Sequence, residues 1–183
     1  MLKGSSVALT SVEREDLASL MAWRNNTEFR KHFREFRELN RAAQERWFET
    51  QVLGNPDVIM FAIRRLADGE LLGCCGFVYI NWIHRHADLS LYIGWEDAYI
   101  DDQGYGYDAC DVLLRHGFNE LGLNKVWTEI YSFDTKKHKL YDRFGFHLDG
   151  KLRQNYFYDG KYWDSLILSL LAEENKERID NVV

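Results

Sequence analysis

The stretch from Ala87 to Leu121 constrains this chain more than any other. Ala87, Leu89, Leu91 and Ile93 alternate with Asp88, Ser90 and Tyr92, a period of two that predicts a strand with one apolar and one functionalised face. A loop carrying Gly104 and Gly106 follows. Ala109, Val112, Leu113 and Phe118 then recur at helical spacing, predicting a helix from about Tyr105 to Leu121 that Gly122 can end. Glycines at the mouth of a helix let backbone approach a ligand with no Cβ in the way. The free N–H groups of the first helical turn are donors for an anion such as a pyrophosphate. Two glycines one residue apart also occur in ordinary turns, so the surroundings have to decide.

Those surroundings alternate strand and helix. Val7–Leu9 reads as a short strand, and Glu15–Asn25 as a helix through Leu17, Leu20 and Met21, ending at Trp23-Arg24-Asn25-Asn26. Asn40 can cap a second helix to Leu53, with Ala43, Trp47 and Val52 as its apolar side. Val58–Leu66 and Leu71–Ile80 read as strands about the Asp68-Gly69 turn. Past the central helix, Lys125–Ser132 predicts a strand with Val126, Thr128 and Ile130 on one face and Trp127, Glu129 and Tyr131 on the other. Asp134 can cap a helix Thr135–Phe144 stopped at Gly145. A hairpin turning at Asp159-Gly160 closes the pattern with Leu166–Leu171, and the charged tail from Glu173 is expected to fray. The series of about seven strands and about four helices is an α/β or α+β arrangement, a sheet with helices packed on it.

Composition narrows the partners. The 183 residues carry one proline and no linker-like stretch, so one domain over residues 1–183 is expected. A formal charge of −6 without a basic stripe argues against nucleic acid and is compatible with a cationic acceptor. Cys74, Cys75 and Cys110 lack metal-ligand spacing and read as reduced, buried thiols of a cytoplasmic protein. No signal-like or membrane-spanning apolar run of about 18 residues occurs.

The glycine loop, Asp134 and the run Leu140-Tyr141-Asp142-Arg143-Phe144-Gly145-Phe146 together resemble the GNAT superfamily of N-acetyltransferases, over nearly the full length from Val7 to about Leu171. Gly104 and Gly106 match that family's pyrophosphate loop. Asp134, Tyr141, Gly145 and Phe146 match its later Asn, Tyr and Gly-Phe positions. The branch most similar includes ribosomal-protein N-terminal, spermidine and amino-sugar acetyltransferases. Ile80 to Asp88 resembles the spermidine enzymes, whereas Trp23-Arg24-Asn25 with Trp47-Phe48 resembles enzymes acting on nucleotide-linked amino sugars. Asp101 stands where the family has Arg or Gln, Asp134 stands where it has Asn, and the loop Gly94–Asp102 is longer than usual. Asp101, Asp102 and Asp108 would repel a pyrophosphate unless their side chains point to solvent.

The resemblance implies a central mixed, mostly antiparallel, twisted sheet and transfer of an acetyl group from acetyl-CoA to a primary amine by direct attack. The acceptor is a small molecule (amino sugar or polyamine) or a peptide N-terminus. Tyr141 resembles the acid that protonates the departing thiolate, and a backbone N–H near Leu91, Tyr92 and Ile93 would polarise the carbonyl. Asp88 and Glu129 are alternative bases, on the polar faces of strands that are neighbours in such a fold. The donor is expected to meet Asp102, Gln103, Gly104, Tyr105, Gly106, Tyr107 and Asp134, with Lys136, Lys137 and Lys139 offered to its 3′-phosphate. Trp23, Arg24, Asn25 and Trp82, together with Tyr92, are candidates for the acceptor pocket. His84, His86, His116 and His138 form no ligand set, so no metal is expected. Oligomeric state is open, with a homodimer as one option. A non-catalytic acyl-CoA-binding or regulatory protein of the same fold is the alternative.

Overall fold

The computed structural model describes residues 1–180. In chain order the elements are β1 (Leu2–Lys3), β2 (Val7–Ser11), α1 (Leu17–Asn25), α2 (Thr27–Arg30), α3 (Arg41–Trp47), β3 (Ile59–Arg65), β4 (Leu71–Asn81) and β5 (His86–Ile93). They continue with α4 (Tyr105–Arg115), β6 (Lys125–Tyr131), α5 (Thr135–Arg143), β7 (His147–Tyr158), β8 (Lys161–Leu171) and α6 (Ala172–Asp180). One 8-stranded sheet runs β1-β2-β3-β4-β5-β6-β8-β7. Every neighbouring pair is antiparallel except β5 and β6, which are parallel and joined through α4. A sheet with helices packed on it is what the residue patterns predict, and its mixed, mostly antiparallel make-up is what the family resemblance implies.

Three short elements exceed the expected set: β1, α2 and α6. Where fraying is expected from Glu173, the described residues form a helix to Asp180, and 181–183 lie outside the described residues. Arg178 of α6 donates to Asp111 Oδ1 at 3.2 Å and lies 5.0 Å from the Phe144 ring centre, while Asn175 is buried. Charge in that segment is spent on contacts with α4 and α5, which a reading of local composition does not see. The helices expected to reach Leu53 and Leu121 run on past α3 and α4 as wide π turns, Phe48–Leu53 and His116–Glu120. Gly122, Gly145 and Gly160 adopt positive φ at the predicted stops and hairpin turn.

Two features of the sheet position the site. The β5–β6 ladder ends at Asp88↔Trp127, although β5 runs on to Ile93 beside β4 and β6 to Tyr131 beside β8. The two strands therefore part along their second halves. Thr128 Oγ1 donates to Leu89 O at 3.1 Å as the last link, and Ile93 N–H donates to Tyr99 O at 2.9 Å. Backbone direction alternates along a strand. Leu91, midway between Leu89 and Ile93, thus turns its N–H and C=O into the gap. Secondly, Asp108 in the first turn of α4 accepts from the N–H groups of Ser5, Ser6 and Val7 at 3.0, 2.7 and 2.9 Å, anchoring α4 to the β1–β2 turn.

Among the described residues no helix is long and apolar enough to cross a membrane, and no group of three or more His, Cys, Asp or Glu side chains gathers at metal-binding distance. Cys74, Cys75 and Cys110 are free and buried.

Candidate active site

At one end of the gap lies the mouth of α4. Gly104 precedes the helix with φ 93°, a left-handed conformation that glycine adopts without strain. Tyr105 and Gly106 turn their N–H groups outward, and both donate to one carboxylate, that of Asp101, at 2.9 and 2.6 Å. A Cβ at Gly106 would lie 3.1 Å from Asp101 Oδ1 and 3.5 Å from Ile93 Cγ1, so glycine there permits the close approach. Backbone amides at this helix end hold an anion, as expected, but the anion is the chain's own. The three aspartates whose charge would oppose a pyrophosphate unless turned to solvent separate: Asp102 is exposed, Asp108 faces the β1–β2 turn, and Asp101 points to the helix mouth.

The segment before Asp101 closes over the gap. Tyr99 is buried, and its hydroxyl donates to Asp134 Oδ2 at 2.5 Å. Its ring stacks on His32 with centres 4.0 Å apart, and Lys137 Nζ lies 5.6 Å from the ring centre. Asp134 caps α5 by accepting from Lys137 N–H at 3.1 Å. Burial alone would raise its pKa, but His32, Lys137 and the Tyr99 hydroxyl outweigh that and hold it below the usual carboxylate value. His32 Nδ1 sits 3.2 Å from Asp134 Oδ2 without hydrogen-bond alignment. Lys136 Nζ donates to Ala98 O and Ile100 O at 2.8 and 3.1 Å, so it ties down this segment.

Tyr141, on α5, is 0% exposed and its hydroxyl has no hydrogen-bond partner. Burial drives its pKa well up, with Cys110, Asp88 and Asp134 adding to the effect and the nearby Thr128 hydroxyl, which falls short of hydrogen-bond geometry, opposing it, so the phenol keeps its proton. Buried hydroxyls nearly always find a partner, so an unpartnered one needs an explanation, and Tyr141 itself lines neither of the two cavities of this face.

At the other end, β5 and β6 bring Asp88 and Glu129 to one face. Between them lies a residue that no sequence pattern signalled, Arg34. Its Nη1 donates to Asp88 Oδ2 at 2.7 Å and its Nε to Glu129 Oε2 at 3.0 Å. Burial lifts the Asp88 pKa to about 6 even though Arg34 pulls the other way. That value suits a proton acceptor near neutral pH. A cavity of about 720 Å³ opens here, lined by Asp88, Ser90, Glu129, Tyr131, Arg34 and Lys137 among others. Beside it a second, of about 560 Å³, is lined by Arg24, Arg37, Arg46, Trp47 and Tyr92 among others.

The remaining candidates scatter. Arg24 lines both cavities. Trp23 packs flat on Gly94, where a Cβ would meet its ring at 1.8 Å. Asn25 clamps Leu39 through both backbone groups at 2.7 Å. Trp82 is 45% exposed on the β4–β5 turn, with Nε1 donating to Pro56 O at 3.2 Å, and lines neither cavity. Gln103 and Lys139 are exposed. Tyr105 meets Trp95 edge-on, and Tyr107 stacks on Phe144 with centres 4.5 Å apart. Sequence reasoning missed Arg34, His32 and Tyr99. Asp101, which the sequence did expose, meets amides four and five residues on, beyond the two or three of an ordinary N-cap, so its contact carried no local signal.

Comparison with known proteins bears on the family and the fold. A family profile described as "Acetyltransferase (GNAT) domain" matches residues 6–147. The chain is 26% identical over 177 residues to the spermidine N(1)-acetyltransferase of Escherichia coli K12, covering 95% of this chain and 90% of that one. It is 27% identical over 178 residues to the enzyme of the same name from Vibrio cholerae, covering 95% and 98%. The fold superposes on a crystal structure of Vibrio cholerae spermidine N-acetyltransferase in complex with CoA and spermine, with TM-score 0.84 and 24% identity over 94% of this chain and 99% of that one.

Proposed function

The chain belongs to the GNAT acetyltransferase family, and from that premise we propose that the amine it acetylates is a polyamine, received between Asp88 and Glu129. The family reaction moves the acetyl group of acetyl-CoA to an amine. The observation that carries the acceptor is the Arg34 guanidinium held between two carboxylates: the cleft is built around a cation. Similarity to enzymes named for spermidine supports the same choice, and a net charge of −6 favours the approach of a polycation.

The residues present fit the donor. Amides of Tyr105 and Gly106 already hold an anion, Leu91 presents backbone groups to the gap, and the Tyr141 hydroxyl has no partner. Acetyl-CoA supplies an activated acyl group and a thiolate leaving group. Tyr105 and Gly106 would hold its pyrophosphate. Asp88 takes a proton from the acceptor ammonium, directly or through water, and its pKa of about 6 leaves it ionised at neutral pH. Glu129 holds positive charge beside it. Leu91 N–H donates to the carbonyl oxygen as negative charge gathers there. Tyr141 Oη gives its proton to the sulfur as the carbon–sulfur bond breaks, and the second proton released by the attacking nitrogen restores the phenol.

A second reading has its own observation. The smaller cavity gathers Arg24, Arg37 and Arg46 against Glu35 and Glu38, which favours an acceptor bearing an anionic group, such as a nucleotide-linked amino sugar. Thiol release from acetyl-CoA, measured across spermidine, spermine, nucleotide amino sugars and basic peptides, separates the cases. Turnover with the amino sugars and none with the polyamines would overturn the proposal. CoA binding without thiol release for any amine would favour the non-catalytic alternative.

A further inference from the structure

We propose that the segment Gly94–Gln103 is a built-in plug of the donor site, with Asp101 and Tyr99 holding the places that the donor must take. The proposal rests on the donor reading above and adds to it a self-inhibited state of the enzyme.

Several independent contacts converge on this segment. The Asp101 carboxylate accepts from both cradle amides, at 2.9 and 2.6 Å, satisfying the donors that a pyrophosphate would need. A second acidic group cannot share those N–H groups at contact distance, so Asp101 and a diphosphate exclude one another. The Tyr99 hydroxyl donates to the buried Asp134 at 2.5 Å. Tyr99 O also covers Ile93 N–H at 2.9 Å, on the edge of β5 that faces the gap. Lys136 then pins the carbonyls of Ala98 and Ile100 at 2.8 and 3.1 Å. One short stretch thus covers the anion cradle, the free edge of β5 and the cap of α5 together.

The same stretch is held in a conformation the backbone resists. Glu96, Asp97 and Tyr99 have φ of 50°, 53° and 61°, a region costly for residues with a side chain. Three such residues within four positions store strain that is released when the segment opens. Its hydrogen bonds favour the closed form and its backbone favours the open one, which describes a two-state element rather than a rigid wall. A donor that binds only the open form has its apparent affinity reduced by the fraction open. Weakening the plug therefore tightens donor binding, the reverse of what loss of a binding residue does.

Calorimetric titration of CoA into wild type, Asp101→Asn and Asp101→Ala tests this. Loss of a capping carboxylate is expected to lower the Kd for CoA on the order of tenfold in Asp101→Ala. Asp101→Asn, which keeps an acceptor oxygen without the charge, should fall between, and Tyr99→Phe should tighten binding by a few-fold. Hydrogen exchange on wild type gives a reading independent of any variant: amides of residues 94–103 should exchange faster with CoA bound. If wild type binds CoA while the Asp101 variants bind equally or more weakly, the plug is refuted and the donor reading stands. Unchanged exchange of 94–103 on CoA binding refutes it too. If CoA binds none of these forms, the donor reading of the α4 cradle falls and takes the plug with it.

Discussion

The two ends of the proposed active site are each filled by a side chain of the charge its proposed substrate carries, yet they are built differently. At the donor end the occupant, Asp101, lies four residues from Tyr105 and five from Gly106, on a strained loop that Tyr99 and Lys136 tie to α5. At the acceptor end the occupant, Arg34, lies 54 residues from Asp88 and 95 from Glu129, and one of its partners is buried. A local contact costs little ordering to make or break, whereas a buried ion pair is costly to leave half-made. The donor end is therefore suited to opening. The acceptor end is suited to exchange, one cation for another, so that Asp88 is never left without a counter-charge.

The largest effect is expected at Asp88. Asp88→Asn should lower kcat/KM by about 10²- to 10⁴-fold, the usual contribution of a positioned base. In wild type the acid limb of kcat/KM should fall near pH 6, matching the raised pKa of this group, and it should vanish in the variant. The stability effect has the opposite sense. An acid whose folded pKa is raised from 3.8 to about 6 contributes stability that is fully present below 3.8 and lost as pH rises through 6. Denaturation midpoints across that window should fall in wild type by more than in Asp88→Asn. A limb at pH 6 that persists in Asp88→Asn would move the base to another group, Glu129 being the next candidate.

Tyr141→Phe lies between the two ends and tests both. Removal of the acid should lower kcat about 10²-fold. Since the hydroxyl is buried without a partner, its loss should also raise the stability of the free protein by about 1 kcal/mol. Slower and more stable is the combination expected of a group kept for chemistry. A variant that is less stable and equally active would make Tyr141 a packing residue.

These two predictions use residues the sequence already exposed, and the reason is periodicity. The alternation around Asp88, the cap at Asp134 and the spacing through Tyr141 are local patterns, and the elements they imply lie where expected. The cradle was legible for the same reason. The charge of Asp101 was visible and pointed to competition with an anion, but that its carboxylate would take the Tyr105 and Gly106 amides was not. Arg34 could not be read. It sits between α2 and α3, in a segment without helix or strand, and its meaning comes from two strands far away in the chain. His32 and Tyr99 share that property. Long-range pairs of this kind are set by how the sheet splits, and no local pattern records the split.

Arg34→Ala sharpens the acceptor half of the comparison. Without the guanidinium, one influence lowering the Asp88 pKa is gone, so the acid limb should move above pH 6 in the absence of bound acceptor. Polyamines would no longer compete with a resident cation, and their KM should fall, by roughly threefold if the exchange costs one charge-assisted hydrogen bond in part-solvated surroundings. A rise in KM with an unmoved limb would mean that Arg34 orients the acceptor rather than standing in its place.

The smallest effect is the most discriminating at the donor end, because its sign is in question. Lys136 was expected to meet the 3′-phosphate of CoA, but its Nζ is committed to Ala98 O and Ile100 O. As a phosphate contact, Lys136→Ala raises the KM for acetyl-CoA. As a tie on the plug, the same change loosens the segment and lowers that KM, by about twofold for one exposed hydrogen-bonding group near the bottom of the usual range. The acceptor KM should not move in either case, since Lys136 lines neither cavity. A twofold fall that disappears when Asp101→Ala is already present would place both residues on one element, because a plug that has lost its carboxylate has little left for the lysine to hold.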